Sequence, residues 1–260
     1  MLILLPPSEG KAAPARGKRL ALSTLSFPTL TDTRQQVIDA LVRLSCGPAA
    51  KARSTLGISA RQDAELERNR ELLSAPTAPA GEIYTGVLYD ALDLAGLDAR
   101  SRKRAASDIA IASALFGLLR VTDPIPAYRL SGDTTLPRVG RLASIWREPI
   151  ADAISAAAGK GIVLDLRSAA YVALGPVPGH LAERTAIARV FWQKGAKRTI
   201  VSHHNKATKG RLVRSLLAEP NSRTIDDLAG ALGAAGYRVE LQPPAGDGKP
   251  WTIDVVVDEL

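Results

Sequence analysis

Cysteine is all but missing from this chain: Cys46 is the only one in 260 residues. A single thiol forms no internal disulfide, so nothing points to an oxidising compartment. Its place between Leu44 and Gly47, at the end of a predicted helix, reads as a small buried apolar side chain rather than a redox sensor. Histidine is scarce too, with three residues. Without further Cys, His or carboxylates at ligand spacing, no metal site and no cofactor is expected. Aromatic residues make up 4% of the chain, which leaves an aliphatic core rich in Ala and Leu. No run of about 18 apolar residues occurs, so no membrane-spanning helix is expected. The opening MLILLPPSEGK has five apolar residues with no basic residue before them, too short for the apolar stretch of a signal peptide. A soluble, cytoplasmic protein is the expectation.

What remains is ordinary globular material, 46% hydrophobic and 23% charged, without a long low-complexity tract. Residues 2–5 read as a buried strand ended by Pro6-Pro7, and residues 12–30 as a long surface excursion. Thr31 or Asp32 starts a helix running to about Ser45. Two helices joined by Leu56-Gly57-Ile58-Ser59 fill 47–75, with Ser59 as the N-cap of the second. The spacing of Ala106, Ile109, Ala110, Ala114 and Leu118 predicts a helix over 99–119, its start Arg100 to Arg104 a solvated face. Residues 120–140 form a long loop of the kind that often carries function. A helix over 142–158 is stopped by Gly159 and Gly161. Strands follow at 162–166 and 198–202, the latter entered from a helix at 181–193. Helices at 206–218 and 225–235 lead to YRVEL and WTIDVVV, which pair as an antiparallel hairpin. Strands alternating with helices predict an α/β fold with α+β character: one domain over 1–260, a mixed sheet flanked by helices.

The strongest signal is charge. The net charge is +8, yet residues 184–218 alone carry nine basic residues and no acidic one, so the rest of the chain nets −1. The segment contains Arg184, Arg189, Lys194, Lys197, Arg198, Lys206, Lys209, Arg211 and Arg214. A strand ending at His203-His204 and a helix starting near Asn205 would place Lys206, Lys209 and Arg211 in the first turns. Helix N-termini present unpaired N–H groups and favour anions, whereas ordinary helices prefer Asp or Glu there. A phosphate-bearing partner explains the reversal, and a nucleic-acid backbone is the expected polyanion, because each neutralised phosphate releases counterions. One of His203 and His204 could touch phosphate or carry a proton, but adjacent strand residues face opposite sides, so not both.

Two strand ends add to this. PPSEGK contains Gly10-Lys11 but lacks the first Gly and the Ser/Thr of a phosphate-binding P-loop, Ala12 standing in the latter's place. Nucleotide triphosphate hydrolysis is rejected on that ground. The loop still sets Ser8, Glu9 and Lys11 at the carboxyl end of a strand, where α/β sheets bind ligands. Asp165, within the apolar VLDL, needs a partner, which Lys11 or a residue of 201–211 could supply. A structural ion pair and a tuned catalytic pair are both open readings.

Taken in order, several segments resemble the YaaA peroxide-stress family along essentially the whole chain. They are MLILLPPSEGK, Tyr84-Thr85-Gly86, and ALFGLLRVTDPIPAYRL at 114–130, which holds Gly117, Leu119, Arg120, Asp123, Pro126, Tyr128, Arg129 and Leu130. Trp146, Ser168 with Tyr171, Lys206, Lys209-Gly210, Arg214 and Gly236-Tyr237 complete the set. The resemblance implies a bacterial cytosolic protein that limits oxidative damage under hydrogen peroxide, in part by lowering free iron. It also implies a compact α/β fold with a basic cleft, a helix–hairpin–helix element and binding of double-stranded DNA. Leu56 to Ser59 is the candidate hairpin, with Arg61 the nearest cation. Two departures stand out: family members often carry a Ser-Pro-Ala-Lys loop where this chain has PPSEGK, and aromatic residues where it has His203-His204.

Two functions of different class follow. One is a DNA-binding protein without catalysis, contacting phosphates through Lys206, Lys209, Arg211, Arg214, His203, Arg198 and Arg129. The other is an enzyme acting on a nucleobase or nucleotide, with Lys11, Asp165 and Lys206 as the catalytic set. Direct iron sequestration is the third and weakest reading, for want of ligand spacing.

Overall fold

The structure, a computed structural model, describes residues 1–194, 197–199 and 202–257, with the side chains of Lys194, Lys197 and residues 202–204 outside that description. The chain opens with β1 (Leu2–Leu5), entirely buried, then wanders through residues 12–30 with two short 3-10 turns. Three helices follow, α1 (Thr31–Cys46), α2 (Ala49–Leu56) and α3 (Asp63–Arg70). Next come β2 (Ala78–Pro79), α4 (Ala80–Ile83), α5 (Val87–Leu92) and α6 (Ala99–Asp108). The strands β3 (Ile109–Ser113) and β4 (Gly117–Arg120) form a tight antiparallel pair. Three short strands, β5 (Pro124–Ile125), β6 (Thr135–Leu136) and β7 (Gly140–Arg141), close two small ribbons, β2 with β5 and β6 with β7. Then α7 (Leu142–Ala158) leads to β8 (Val163–Asp165) and α8 (Ala169–Leu174). The last third holds β9 (Thr185–Lys194), β10 (Lys197–Thr199), α9 (Ser202–Ala218), α10 (Ile225–Ala234), β11 (Arg238–Gln242) and β12 (Trp251–Val257).

One eight-stranded sheet joins both ends of the chain, in the order β11-β12-β9-β8-β1-β3-β4, with β10 paired to β9. The five strands β12, β9, β8, β1 and β3 are parallel, and β11, β10 and β4 add antiparallel edges. This is the mixed sheet flanked by helices that the alternation of elements predicts. The terminal hairpin also forms, with Arg238 opposite Val256.

Strand order reverses at β1. From β1 the chain crosses to β3 on one side, and after α7 it returns as β8 on the other. Register puts Leu4 beside Ala110 and Asp165 together, so Pro6 and Leu166 emerge at the same edge. A crevice opens where strand order reverses, above the carboxyl ends of the strands.

Three predicted elements differ. The helix expected over 99–119 stops at Asp108, and Ile109–Ser113 is a wholly buried strand. A strand covered on both faces is a continuous apolar run, which periodicity cannot tell from a buried helix. The helix expected over 181–193 is a 3-10 turn, Gly179–Arg184, followed by β9. Along it Ala186, Ala188 and Val190 are buried while Ile187 and Arg189 are exposed, a period of two hidden by helix-favouring alanines. Of the strand expected over 198–202, Arg198 and Thr199 belong to β10, residues 200 and 201 lie outside the described residues, and Ser202 already starts α9. The histidines at 203 and 204 therefore lie on a helix, and the argument from alternating strand faces does not apply to them. Cys46, expected to be buried, is the exposed last residue of α1, whose inward positions there are Leu44 and Ser45.

Candidate functional site

A cleft of about 750 Å³ lies above the carboxyl ends of β1 and β8. Pro6 to Gly10 after β1 and Leu166, Ser168, Ala170 and Tyr171 after β8 form part of its lining. Thr85 to Tyr89 at the start of α5, Ser131 to Asp133 of the long loop, and Asn205, Lys206 and Lys209 of α9 complete it. Sequence had marked several of these stretches separately; the reversal of strand order at β1 brings them together.

α9 holds its place over the cleft through contacts far from its N-terminus. A Cβ on Gly210 would lie 2.2 Å from the Leu88 carbonyl oxygen and 2.9 Å from the Leu92 amide, so only glycine lets α9 pack this closely on α5. Arg214 donates to the carbonyls of Leu92, Asp93 and Gly96 at 3.0, 2.6 and 3.0 Å, capping the end of α5. Arg104 of α6 donates to the carbonyls of Leu216, Leu217 and Glu219, closing the last turn of α9. These bonds satisfy helix-end carbonyls that otherwise lack partners.

Lys206 is exposed, and three residues on Lys209 shares its helix face. Lys209 Nζ donates to the Leu166 carbonyl at 3.0 Å. Burial pulls its pKa below the usual lysine value, while Asp165 opposes that pull. The first turn of α9 holds no acidic residue. The carboxamide oxygen of Asn205 is buried with no hydrogen-bond partner.

Lys11 lies beneath the loop rather than on the cleft wall. Its Nζ donates to the carbonyls of Ser8 and Glu9 at 3.0 and 3.3 Å, and sits 4.4 Å from the Tyr128 ring centroid and 5.6 Å from that of Tyr84. Burial, and then Arg129, lower its pKa from 10.5 to about 8, with Glu65 and Glu9 acting the other way. Behind it runs a buried hydroxyl chain: Tyr84 to Tyr128 at 2.8 Å and Tyr128 to Ser113 at 2.8 Å. Lys11 thus clasps the Ser8–Gly10 wall of the cleft from below.

Asp165 acts electrostatically on Lys209 of the expected 201–211 segment, but its hydrogen bonds come from neither that lysine nor Lys11. Arg167 clamps it in a buried fork, Nε to Oδ1 at 2.9 Å and Nη2 to Oδ2 at 2.7 Å, with the Arg167 amide adding a third bond at 3.0 Å. Arg167 also donates to the Gly175 carbonyl at 2.8 Å. Both carboxylate oxygens are engaged, so Asp165 stands as half of an ion pair that orders the loop after β8.

The remaining cations among the described residues scatter, Lys194 and Lys197 having side chains outside that description. Arg184 donates to the Gly161 carbonyl, Arg189 forks onto Asp254, and Arg198 forks onto Glu240 at 2.8 and 2.6 Å on the sheet edge. Arg211 points to solvent beside Thr208. Arg129 approaches Glu9 at 3.4 Å and its backbone is paired with Asn69. The side chain of His203 lies outside the described residues. Of the expected phosphate contacts, the structure brings Lys206 and Lys209 to the cleft and ties Arg198 and Arg214 elsewhere.

The turn read as a hairpin uses its own donors. The amides of Gly57 and Ile58 bond the Arg53 carbonyl, and that of Ser59 bonds the Gln62 side chain. Among the described residues, no three His, Cys, Asp or Glu side chains come together as a metal-ligand set. No described helix is long and apolar enough to cross a membrane.

Sequence reasoning gave Tyr89, Tyr171 and Asp133 no site role. The long loop 120–140 and the segment after β8 were the signals for the last two, since both follow or face strand ends.

The family described as Peroxide stress protein YaaA matches residues 1–242. A UPF0246 protein of Streptomyces coelicolor is 51% identical, with all of both chains covered. A UPF0246 protein of Corynebacterium glutamicum is 42% identical over 94% of this chain and 96% of its own. One of a Marinomonas species is 28% identical over 87% and 88%. The chain belongs to the peroxide stress protein YaaA family.

Proposed function

We propose that this YaaA-family protein binds double-stranded DNA during peroxide stress, holding backbone phosphates at Lys206 and Lys209, and that it thereby limits oxidative damage as part of a role that includes lowering free iron. The observation that carries this reading is the pairing of two lysines on one face of α9, aimed into the cleft at the β1–β8 edge. Phosphate contact of this kind is independent of base sequence and positions the duplex. Arg211, exposed two residues further along, lends a third charge nearby.

The reading has a quantitative consequence. Two or three neutralised phosphates give a log–log salt slope of roughly −2 to −3, milder than nine clustered cations would give. Fluorescence anisotropy with a short duplex at increasing salt measures it. An affinity that does not change between low and moderate salt sinks the proposal.

A second reading rests on Lys11, which would have to release the Ser8 and Glu9 carbonyls to reach the cleft. An amine with pKa about 8 is partly neutral near pH 7, and a neutral amine attacks an aldehyde such as the open sugar of an abasic site. The nitrogen adds to the carbonyl carbon, water leaves, and the resulting imine is reduced by borohydride to a stable amine. Trapping of an abasic duplex that is lost in Lys11→Ala supports this enzyme reading; absence of any adduct leaves DNA binding alone.

A further inference from the structure

Charge within the cleft is divided. The cations, Lys206 and Lys209, come from α9 and lie beside Leu166, whose carbonyl Lys209 bonds. The carboxylates, Glu9 and Asp133, come from the loop after β1 and the long loop before α7, and both are near enough to the Tyr171 hydroxyl to push its pKa up. Asp165 is the carboxylate that acts on Lys209. A groove built to track a polyanion along its length would be basic throughout. This one is lined by two lysines from α9 and by two carboxylates near Tyr171, of which Glu9 lies 3.4 Å from Arg129, with Pro6, Pro7, Val87, Leu88 and Ala170 also among its lining.

That pattern matches one nucleotide unit. A nucleotide has phosphate at one end, a flat apolar-faced base, and N–H donors on the base edge. Carboxylates accept from such donors, as Asp and Glu do from the cytosine amino group. Tyr171, half-buried on the cleft wall, offers a ring beside which a base can stack, and each stacked base contributes roughly 1–3 kcal/mol in single-strand binding proteins. The volume of about 750 Å³ lies within the roughly 300–1,000 Å³ that small-molecule pockets occupy.

We propose that the cleft receives a single nucleotide turned out of the DNA, its phosphate on Lys206 and Lys209, its base beside Tyr171 and its base-edge donors toward Asp133 and Glu9. This rests on the DNA-binding reading above and adds a substrate class to it. Turning a base out costs least where it is mismatched or already unpaired. The protein therefore prefers duplexes with a mismatch or a single-base bulge.

The test uses duplexes carrying 2-aminopurine, which brightens when unstacked, either paired or at a mismatch, with the full chain. The expected result is a several-fold fluorescence rise on binding and affinity about tenfold higher for the mismatch. Asp133→Asn should reduce that preference, whereas Arg198→Ala, outside the cleft and bonded to Glu240 and Gln193, should leave it unchanged. Salt-sensitive binding of both duplexes with equal affinity and no brightening overturns the nucleotide assignment and leaves the DNA reading standing. No duplex binding, with calorimetric binding of a free nucleoside monophosphate that Lys206→Ala abolishes, overturns both the DNA reading and the turned-out nucleotide and makes the cleft a site for free nucleotide. Binding of neither overturns both.

Discussion

Gly210 of α9 and Leu88 of α5 approach so closely that a methyl group on the glycine would sit 2.2 Å from the leucine carbonyl oxygen. The obstacle is backbone, so no rotamer change relieves it. Gly210→Ala should destabilise the protein by about 1–3 kcal/mol, despite the better helix propensity of alanine. Gly230→Ala, in α10 with open space around its Cβ position, should do the reverse and stabilise by up to about 1 kcal/mol. Thermal midpoints of the two variants moving in opposite directions check both; a Gly210→Ala protein as stable as the parent would refute the packing account.

The lysines of α9 and the arginines tied to other groups should part company in DNA binding. Lys206→Ala and Lys209→Ala are each expected to weaken duplex affinity and to lower the salt slope by about one. Arg198→Ala, which loses a sheet-edge fork to Glu240 and a bond to Gln193, should leave affinity within about twofold. Equal losses across all three would mean that charge acts by total rather than by place.

Lys11 makes stability depend on pH in a defined window. Its folded pKa of about 8 lies below the unfolded value of 10.5, so between these values the unfolded chain binds more protons. Stability contributed at this site therefore rises with pH from about 8 toward 10.5, by on the order of 2–3 kcal/mol at most. Above about pH 10 the buried tyrosines 84, 89 and 128, whose pKa values burial raises, act oppositely, because the unfolded chain loses those protons first. Urea unfolding at pH 7 and pH 9.5 should show a gain in the parent that Lys11→Met lacks. A parent and variant with the same pH dependence would refute the buried-amine account.

Asp165 and Arg167 should behave as a pair. Asp165→Asn leaves a buried guanidinium without its counter-charge and should cost about 3–5 kcal/mol. The double variant Asp165→Asn with Arg167→Met should recover part of that loss, since it removes the orphaned charge. Denaturant midpoints decide the matter: a single variant of parental stability that nonetheless loses function would make Asp165 a working carboxylate instead.

Much of the fold was legible in the chain. The buried run Leu2–Leu5, the helix 142–158 between Arg141 and Gly159, and the terminal hairpin are local patterns with local stop signals. Ile109–Ser113 and Thr185–Lys194 were not legible. An apolar run serves a buried helix and a central parallel strand equally well, and alanine's helix preference masked the alternation in β9.

The sequence by itself determined composition, the concentration of charge in 184–218, and the identity of Lys206 and Lys209 as cations near a helix start. Only tertiary structure decided which charges meet. Ion pairing depends on distances of a few ångströms between residues far apart in the chain, and Glu240 and Asp254 lie beyond the basic segment that they partly neutralise. The same holds for the cleft. Its lining is drawn from residues 6 to 209, and the reversal of strand order at β1, set by how the strands pair, is what brings those segments to one edge.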